Sequence, residues 1–288
     1  MENNKKKPIV PRRWIRPSLP PSDHLDTGRL PPHPGPAYAF YKYAEEYENA
    51  DIRSYSDSIF YTCRKIETSG DGICYITHIV LRDPSQVRGL LAKGELLQSE
   101  TPAEAAVRTG ARILVNGSFF EKDFSRSGGS LWIMNGRILE GGYSNGYEVC
   151  LCSDGTIFSP GYHTAAAVLK ENVSFSWGTF NETLIDRGRR CTIKDSAWAS
   201  ELFARTGIGM VCPLEYYVLT AGTGVRENGI SLYTEQDIFA SLGCQYARDL
   251  DGGASTALVI DGVCIRDSVD VLRDNAAGRP VPDFLAFF

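Results

Sequence analysis

Asp249-Leu250-Asp251-Gly252-Gly253-Ala254-Ser255-Thr256 gathers two carboxylates, a glycine pair and two adjacent hydroxyls into eight residues. An apolar run, Ala257-Leu258-Val259-Ile260, follows at once and closes on the turn pair Asp261-Gly262. If that run is a buried strand, the glycines form a tight loop at its mouth. Glycine has no Cβ, so backbone N–H groups there can converge on an anion. Acid, amide donors and hydroxyls together suit chemistry on a phosphorylated or glycosylated substrate. The same letters also spell a Gly-rich turn before an ordinary strand, so the stretch alone does not decide.

The elements that must position this loop follow from local signals. Residues 1–36 hold nine prolines and few apolar anchors, which predicts an extended or disordered arm ahead of a single folded domain, 37–288. Tyr38 to Glu48 reads as a short helix. Ser58 to Glu67 and Ile73 to Arg82 read as strands of a hairpin around Ser69-Gly70-Asp71-Gly72. Pro84 is expected to open a helix through Leu91, from its favoured first-turn position. Thr101-Pro102-Ala103-Glu104 is a capping box, so Pro102 to Thr109 is a helix ended by Gly110. Arg112 to Val115 is a buried strand. Leu131 to Met134 and Arg137 to Leu139 pair around Asn135-Gly136, and another hairpin centres on Asp154-Gly155. Phe175 to Arg190 reads as strands with a polar turn. Glu201 to Met210 leads into a strand pair turning near Pro213-Leu214, with Tyr216 to Leu219 returning. Thr234 is placed as the cap of a helix over Glu235 to Leu242, and Phe284 to Phe288 as a last strand. Many strands with separated helices predict an α+β fold with a mixed or antiparallel twisted sheet as its core and peripheral helices.

Composition removes several classes. The chain of 288 residues is 43% apolar and 23% charged, ordinary globular values, and its formal net charge is −5. No basic stripe interleaved with aromatics occurs, so no nucleic-acid partner is expected. No apolar run approaches the ~18 residues of a membrane span, so no transmembrane segment is expected. Met1 to Arg16 is basic like a signal-peptide n-region, but no apolar h-region follows. The expectation is cytoplasmic as written, and cell surface or secreted for a chain whose leader was removed. The eight cysteines include no CxxC pair and mostly sit in apolar segments, where a thiol packs as a small core residue. Four histidines, none paired, give no metal site. No cofactor is required, and a structural divalent cation at loop carboxylates stays open. The oligomeric state is not legible.

Three further segments stand in a fixed order with the opening loop. Asn116-Gly117-Ser118-Phe119-Phe120 follows a buried strand, Arg205-Thr206-Gly207-Ile208-Gly209 opens another, and Arg279-Pro280-Val281-Pro282-Asp283 precedes the last. With Leu250 to Thr256 they resemble the phosphodiester glycosidase family in order and spacing, over roughly His78 to the C-terminus. That family carries an NGG-F-F-like loop, an R-T-A-I-G-like strand, an L-D-G-G-G-S-like loop and a terminal R-P-V segment. The resemblance implies a hydrolase acting on a sugar linked through phosphate, with a carbohydrate or glycosyl-phosphate substrate, in a setting such as cell-envelope or exopolysaccharide turnover. Carried over by position, the implied pocket is Asn116, Arg205, Thr206, Asp251, Gly252, Gly253, Ser255 and Arg279, with His78 as a weaker addition.

The residue types agree with those roles. Arg205 and Arg279 can take phosphoryl oxygens in bidentate bonds. The Gly252 and Gly253 amides with the Ser255 hydroxyl would complete an anion cradle. Asp251 is the candidate acid–base or nucleophile at the sugar carbon, and Asn116 can bond sugar hydroxyls or orient a carboxylate. Asp249 is read as a structural carboxylate. Phe119 and Phe120 are read as core rather than a sugar-stacking platform.

The chain departs from the family pattern at Ala221-Gly222-Thr223, where relatives tend to have Asp-Gly-Arg. Asp249 stands for a common Asn, and Ser118 and Ala254 each replace a usual glycine; Ala254 requires φ below zero. These departures keep a second reading open, a non-catalytic module that binds phosphorylated or anionic glycans. A serine hydrolase using Ser255 with His78 ranks below both, since Gly-Gly-Ala-Ser-Thr is not the G-x-S-x-G elbow. Gly222-Thr223-Gly224 followed by Gly229 misses the dinucleotide spacing.

Overall fold

A computed structural model describes residues 21–23, 25, 27–68, 70, 72–180, 183–194, 196–266 and 278–288. Pro8, Pro11, Pro17 and Pro20 of the predicted arm, and Ser69 and Asp71 of the predicted turn, lie outside the described residues.

The described chain folds as three antiparallel sheets. The large one orders its strands Ile52–Tyr55, Ile59–Glu67, Ile73–Leu81, Glu215–Ala221, Arg205–Cys212, Tyr246–Asp249, Thr183–Asp186 and Arg189–Arg190. A second runs Arg137–Glu140, Trp132–Met134, Val173–Gly178, Glu148–Cys152, Ile157–Phe158. The third runs Val263–Arg266, Leu258–Ile260, Ile113–Asn116, Asp283–Phe287, Val87–Leu91. With the separate helices this is the α+β antiparallel fold expected from the sequence.

Period-two alternation gives the large sheet two different faces. Ile208, Met210, Tyr216 and Val218 point inward and pack with Val115, Trp177 and Phe287 of the other two sheets in the main core. Tyr217, Leu219 and Ala247 point outward, under Phe239 and Leu232 of the helix Leu232–Ser241. At the far end of that outer face, Phe60 and Val80 are covered by Ala39 and its neighbours from the helices Pro36–Lys42 and Ala44–Glu48. Ahead of those helices, Arg29 bonds Glu171 O at 2.9 Å, and His33 N–H bonds Pro213 O at 2.8 Å.

Several local expectations hold and three change. The helix Pro102–Thr109 carries the full Thr101/Glu104 capping box and ends on Gly110 in the left-handed region. Asn135 and Gly136 take φ 51° and 71°, the pair of positive values a two-residue hairpin turn uses. Tyr38 to Glu48 is two helices, broken at Tyr43, rather than one. Pro84 opens only a single turn, Pro84–Gln86, and Val87–Leu91 is a strand. Pairing with Asp283–Phe287 overrides the first-turn proline signal there, and Gly89 lies where any side chain would enter the Phe175 ring. Ser231, not Thr234, caps the Leu232–Ser241 helix, because its hydroxyl accepts the Thr234 N–H at 3.1 Å.

Candidate active site

The chain leaves the large sheet at Asp249, passes through Leu250 to Thr256, and enters the third sheet at Leu258. The Asp251 loop is therefore the crossover between sheets. Its floor is tied on both sides: Leu250 N–H bonds Thr206 O at 2.7 Å, Asp251 N–H bonds Gly117 O at 3.0 Å, and Gly253 N–H bonds Ala204 O at 2.7 Å. Gly253 takes the positive φ of the loop, 59°, and Ala254 stays at negative φ, as its side chain requires.

Asn116, fully buried at the end of its strand, is the hub of this junction. Its amide donates to Asp251 O at 2.6 Å, and its oxygen accepts the Thr206 hydroxyl at 2.8 Å and Ala257 N–H at 3.0 Å. One side chain thus spans both sheets and the loop. Gly117 follows because nothing larger fits: a Cβ there would run into the Asp283 carboxylate and lie 2.6 Å from Trp177 Cδ1. Asp283 in turn accepts Ser118 N–H at 2.6 Å and the Ser118 hydroxyl at 2.7 Å, so the serine in place of a usual glycine is used as a donor.

Asp251 is 6% exposed, and burial pushes its carboxyl up to about 7. A hydrogen bond from Ser255, the charge of Arg279 and a Gly252 N–H pull the other way, while the nearby Asp249 charge adds to the rise. Arg279 donates to the Ser255 hydroxyl at 2.8 Å and lies 4.6 Å over the Phe120 ring, which fixes the guanidinium at the edge of the loop. Phe119 meets Phe180 edge-on at 4.7 Å; both Phe119 and Phe120 are half-buried, and Phe120 packs against the core cluster that holds Leu114, Val259 and Phe284.

Not every residue of the expected pocket arrives here. Asn116, Thr206, Asp251, Ser255 and Arg279 form one connected cluster. Arg205 does not join it: neighbouring Thr206 faces inward, so Arg205 faces outward, where it pairs with Asp249 at 3.2 Å and bonds Ile230 O at 3.0 Å. His78 lies on the same outer face, farther along the sheet. It is bonded to Glu46 at 3.1 Å and Glu215 at 3.2 Å and stacked on Tyr217 at 4.3 Å. Burial alone would lower its pKa, but the bonds to Glu215 and Glu46 leave it raised. The glycine amides are also not open to a phosphate, since Gly253 N–H is spent on Ala204 and Gly252 N–H serves the Asp251 carboxylate. The group this cradle holds is the Asp251 carboxyl itself.

Sequence reasoning missed Ser118 and Asp283 as a bonded pair, although both lie inside the quoted segments. It also missed Glu235, which its position in a helix gave no reason to single out. At the departing Ala221-Gly222-Thr223 turn, Arg266 from the third sheet donates to Gly222 O at 2.8 Å and brings a guanidinium back to that place. Among the described residues no cluster of three or more His, Cys, Asp or Glu could hold a metal ion, and no helix is long and apolar enough to cross a membrane.

The fold has solved counterparts. The catalytic domain of zebrafish N-acetylglucosamine-1-phosphodiester alpha-N-acetylglucosaminidase, a structure auto-inhibited by its pro-peptide, is 16% identical with a TM-score of 0.64. The superposition covers 83% of this chain and 84% of that one. A hypothetical protein from Synechocystis is also 16% identical, with a TM-score of 0.54 over 83% of this chain and 64% of that one. No curated protein sequence matches. The sequence profile of phosphodiester glycosidases matches residues 109–288, which includes the whole Asn116–Asp251–Ser255–Arg279 cluster and excludes His78. This chain belongs to the phosphodiester glycosidase family.

Proposed function

We propose that the protein hydrolyses a glycosyl phosphodiester, with Asp251 as the general acid and Arg279 as the phosphoryl-binding group. The observation that carries this reading is a nine-tenths-buried carboxyl, Asp251, poised near neutrality beside a guanidinium. A carboxyl that keeps its proton into the neutral range can protonate the oxygen of the departing phosphate as the bond to the sugar carbon breaks. Water then adds to that carbon and gives up a proton to the Asp251 carboxylate, which restores the acid. Arg279, held by Ser255 and Phe120, offers a planar fork to the remaining phosphoryl oxygens. Ser255 couples the two, since it bonds Asp251 and accepts from Arg279. Asn116 and Thr206 hold the loop from below and do not contact substrate in this reading. An N-acetylglucosaminyl phosphodiester is the first substrate to try, by analogy with the zebrafish relative's name.

A second reading, a glycan-binding module without turnover, draws on the Ala221-Gly222-Thr223 turn, which lacks the carboxylate usual there. The test is release of free sugar and phosphomonoester from a panel of glycosyl phosphodiesters, wild type against Asp251→Asn. Loss of turnover in the variant with an unchanged circular dichroism spectrum supports the hydrolase. Equal turnover removes Asp251 from the mechanism, and binding of the panel without turnover by the wild type replaces the hydrolase by the module.

A further inference from the structure

Behind the Asp251 loop, on the outer face of the large sheet, three ionisable side chains are buried together. Arg205 is 2% exposed, Asp249 1% and Glu235 fully buried. Arg205 pairs with Asp249 at 3.2 Å, and the Glu235 carboxyl, whose two oxygens meet no N–H or O–H donor among the described residues, interacts with Asp249. Glu235 lies flat on the backbone of Gly207, the residue paired with Asp249 across the sheet; a Cβ at Gly207 would strike the Glu235 carboxyl and come within 2.8 Å of Phe239. The helix, the glycine and the acid are fitted to each other.

Charge counting fixes the protonation of this group. Two ionised carboxylates against one guanidinium would leave a net negative charge in a dry interior, which is strongly unfavourable. One proton makes the cluster neutral. Asp249 has the cation, so the proton resides on Glu235, whose O–H then donates to Asp249. Cys74, from the adjoining part of the sheet, is the remaining titratable neighbour of Glu235, and burial keeps it a thiol with its pKa pushed up to about 12.

The place of the cluster gives it a task. Arg205 sits between Ala204, whose carbonyl holds Gly253 N–H, and Thr206, whose carbonyl holds Leu250 N–H and whose hydroxyl holds Asn116. Asp249 is two residues before Asp251. Both strand ends from which the loop hangs are therefore pinned from the far side of the sheet. We propose that Arg205, Asp249 and Glu235 form a one-proton cluster that positions Asp251, with Glu235 a positioning residue and not a catalytic one. The proposal rests on the reading of Asp251 as the general acid.

The test uses two readouts on the full chain. Infrared difference spectra at neutral pH should show a protonated carboxylic acid band that is lost in Glu235→Gln and kept in Asp251→Asn. Steady-state kinetics should show Glu235→Gln, which keeps a neutral donor, within about threefold of wild type. Glu235→Ala should lose roughly 10- to 100-fold in kcat at little change in KM. A Glu235→Gln spectrum that superimposes on wild type would overturn the proposal, as would unchanged kcat in Glu235→Ala. If Glu235→Ala fails to fold, the Gln variant and its spectrum decide. An active Asp251→Asn with the Glu235 band intact would sink the general-acid reading alone, and a missing band with inactive Asp251→Asn would sink only the shared proton.

Discussion

Replacing Asp251 by Asn changes stability in a way that depends on pH, and the size follows from burial. The folded carboxyl titrates near 7 against 3.8 for its ordinary value. A carboxyl with a raised folded pKa stabilises the fold while protonated, so its contribution is complete below the unfolded value and is lost as pH rises through the folded one. Linkage puts the loss at about 1.7 kcal/mol at pH 5 and about 4 kcal/mol at pH 8, using the ordinary and folded values above. Asn has the same shape and never ionises. The stability of Asp251→Asn relative to wild type should therefore rise by roughly 2 to 3 kcal/mol between pH 5 and pH 8. Urea unfolding of both proteins at each pH, followed by tryptophan fluorescence, measures this directly, and the titrating groups that do not interact with Asp251 cancel in the difference. A difference that stays flat across that range would mean the carboxyl titrates at its ordinary value. The general-acid reading would then lose its physical basis.

Other outcomes follow from the same geometry. Arg279→Lys keeps the charge but loses the fork and much of the stacking on Phe120, so kcat/KM should fall by roughly 10- to 100-fold with an unchanged melting temperature. Gly117→Ala drives a methyl into Asp283 and Trp177 and should abolish soluble, cooperative folding, visible in the unfolding curve. Thr101→Ala removes a capping-box hydroxyl that bonds Glu104 and should cost about 1 kcal/mol by denaturant unfolding, with activity unchanged. Equal losses of activity in Thr101→Ala and Arg279→Lys would show that the assay reads stability rather than phosphoryl binding.

The sequence was most legible where a feature is local. The capping box at Thr101, the Asn135-Gly136 turn and the order of the four segments need no knowledge of partners, and each is realised. Val87–Leu91 was opaque because its strand identity comes from Asp283–Phe287, almost two hundred positions on, while Pro84 sends a strong local helix signal. The cluster at Asp251 shows the same division. Residue types told of an acid, a hydroxyl and arginines, but facing is set by register: Thr206 points into the seam and Arg205 away from it. The glycine amides likewise looked free in the sequence, because their partners Ala204 and Asp251 depend on how the crossover packs. Asp249 was read as structural and is buried in an ion pair with Arg205.

The crossover itself has a kinetic consequence. Asn116 reaches Asp251 over 135 positions, and Ser118 reaches Asp283 over 165. Contacts of such separation close late, because loop entropy is lost before they repay it. Asp251 is thus an ordinary exposed, ionised carboxyl in any partly folded chain and becomes a poised one only when the strand at Asp283–Phe287 has docked beside Ile113–Asn116. The arming of the acid therefore belongs to the last step of folding, so refolding followed by catalysis should lag behind refolding followed by secondary structure.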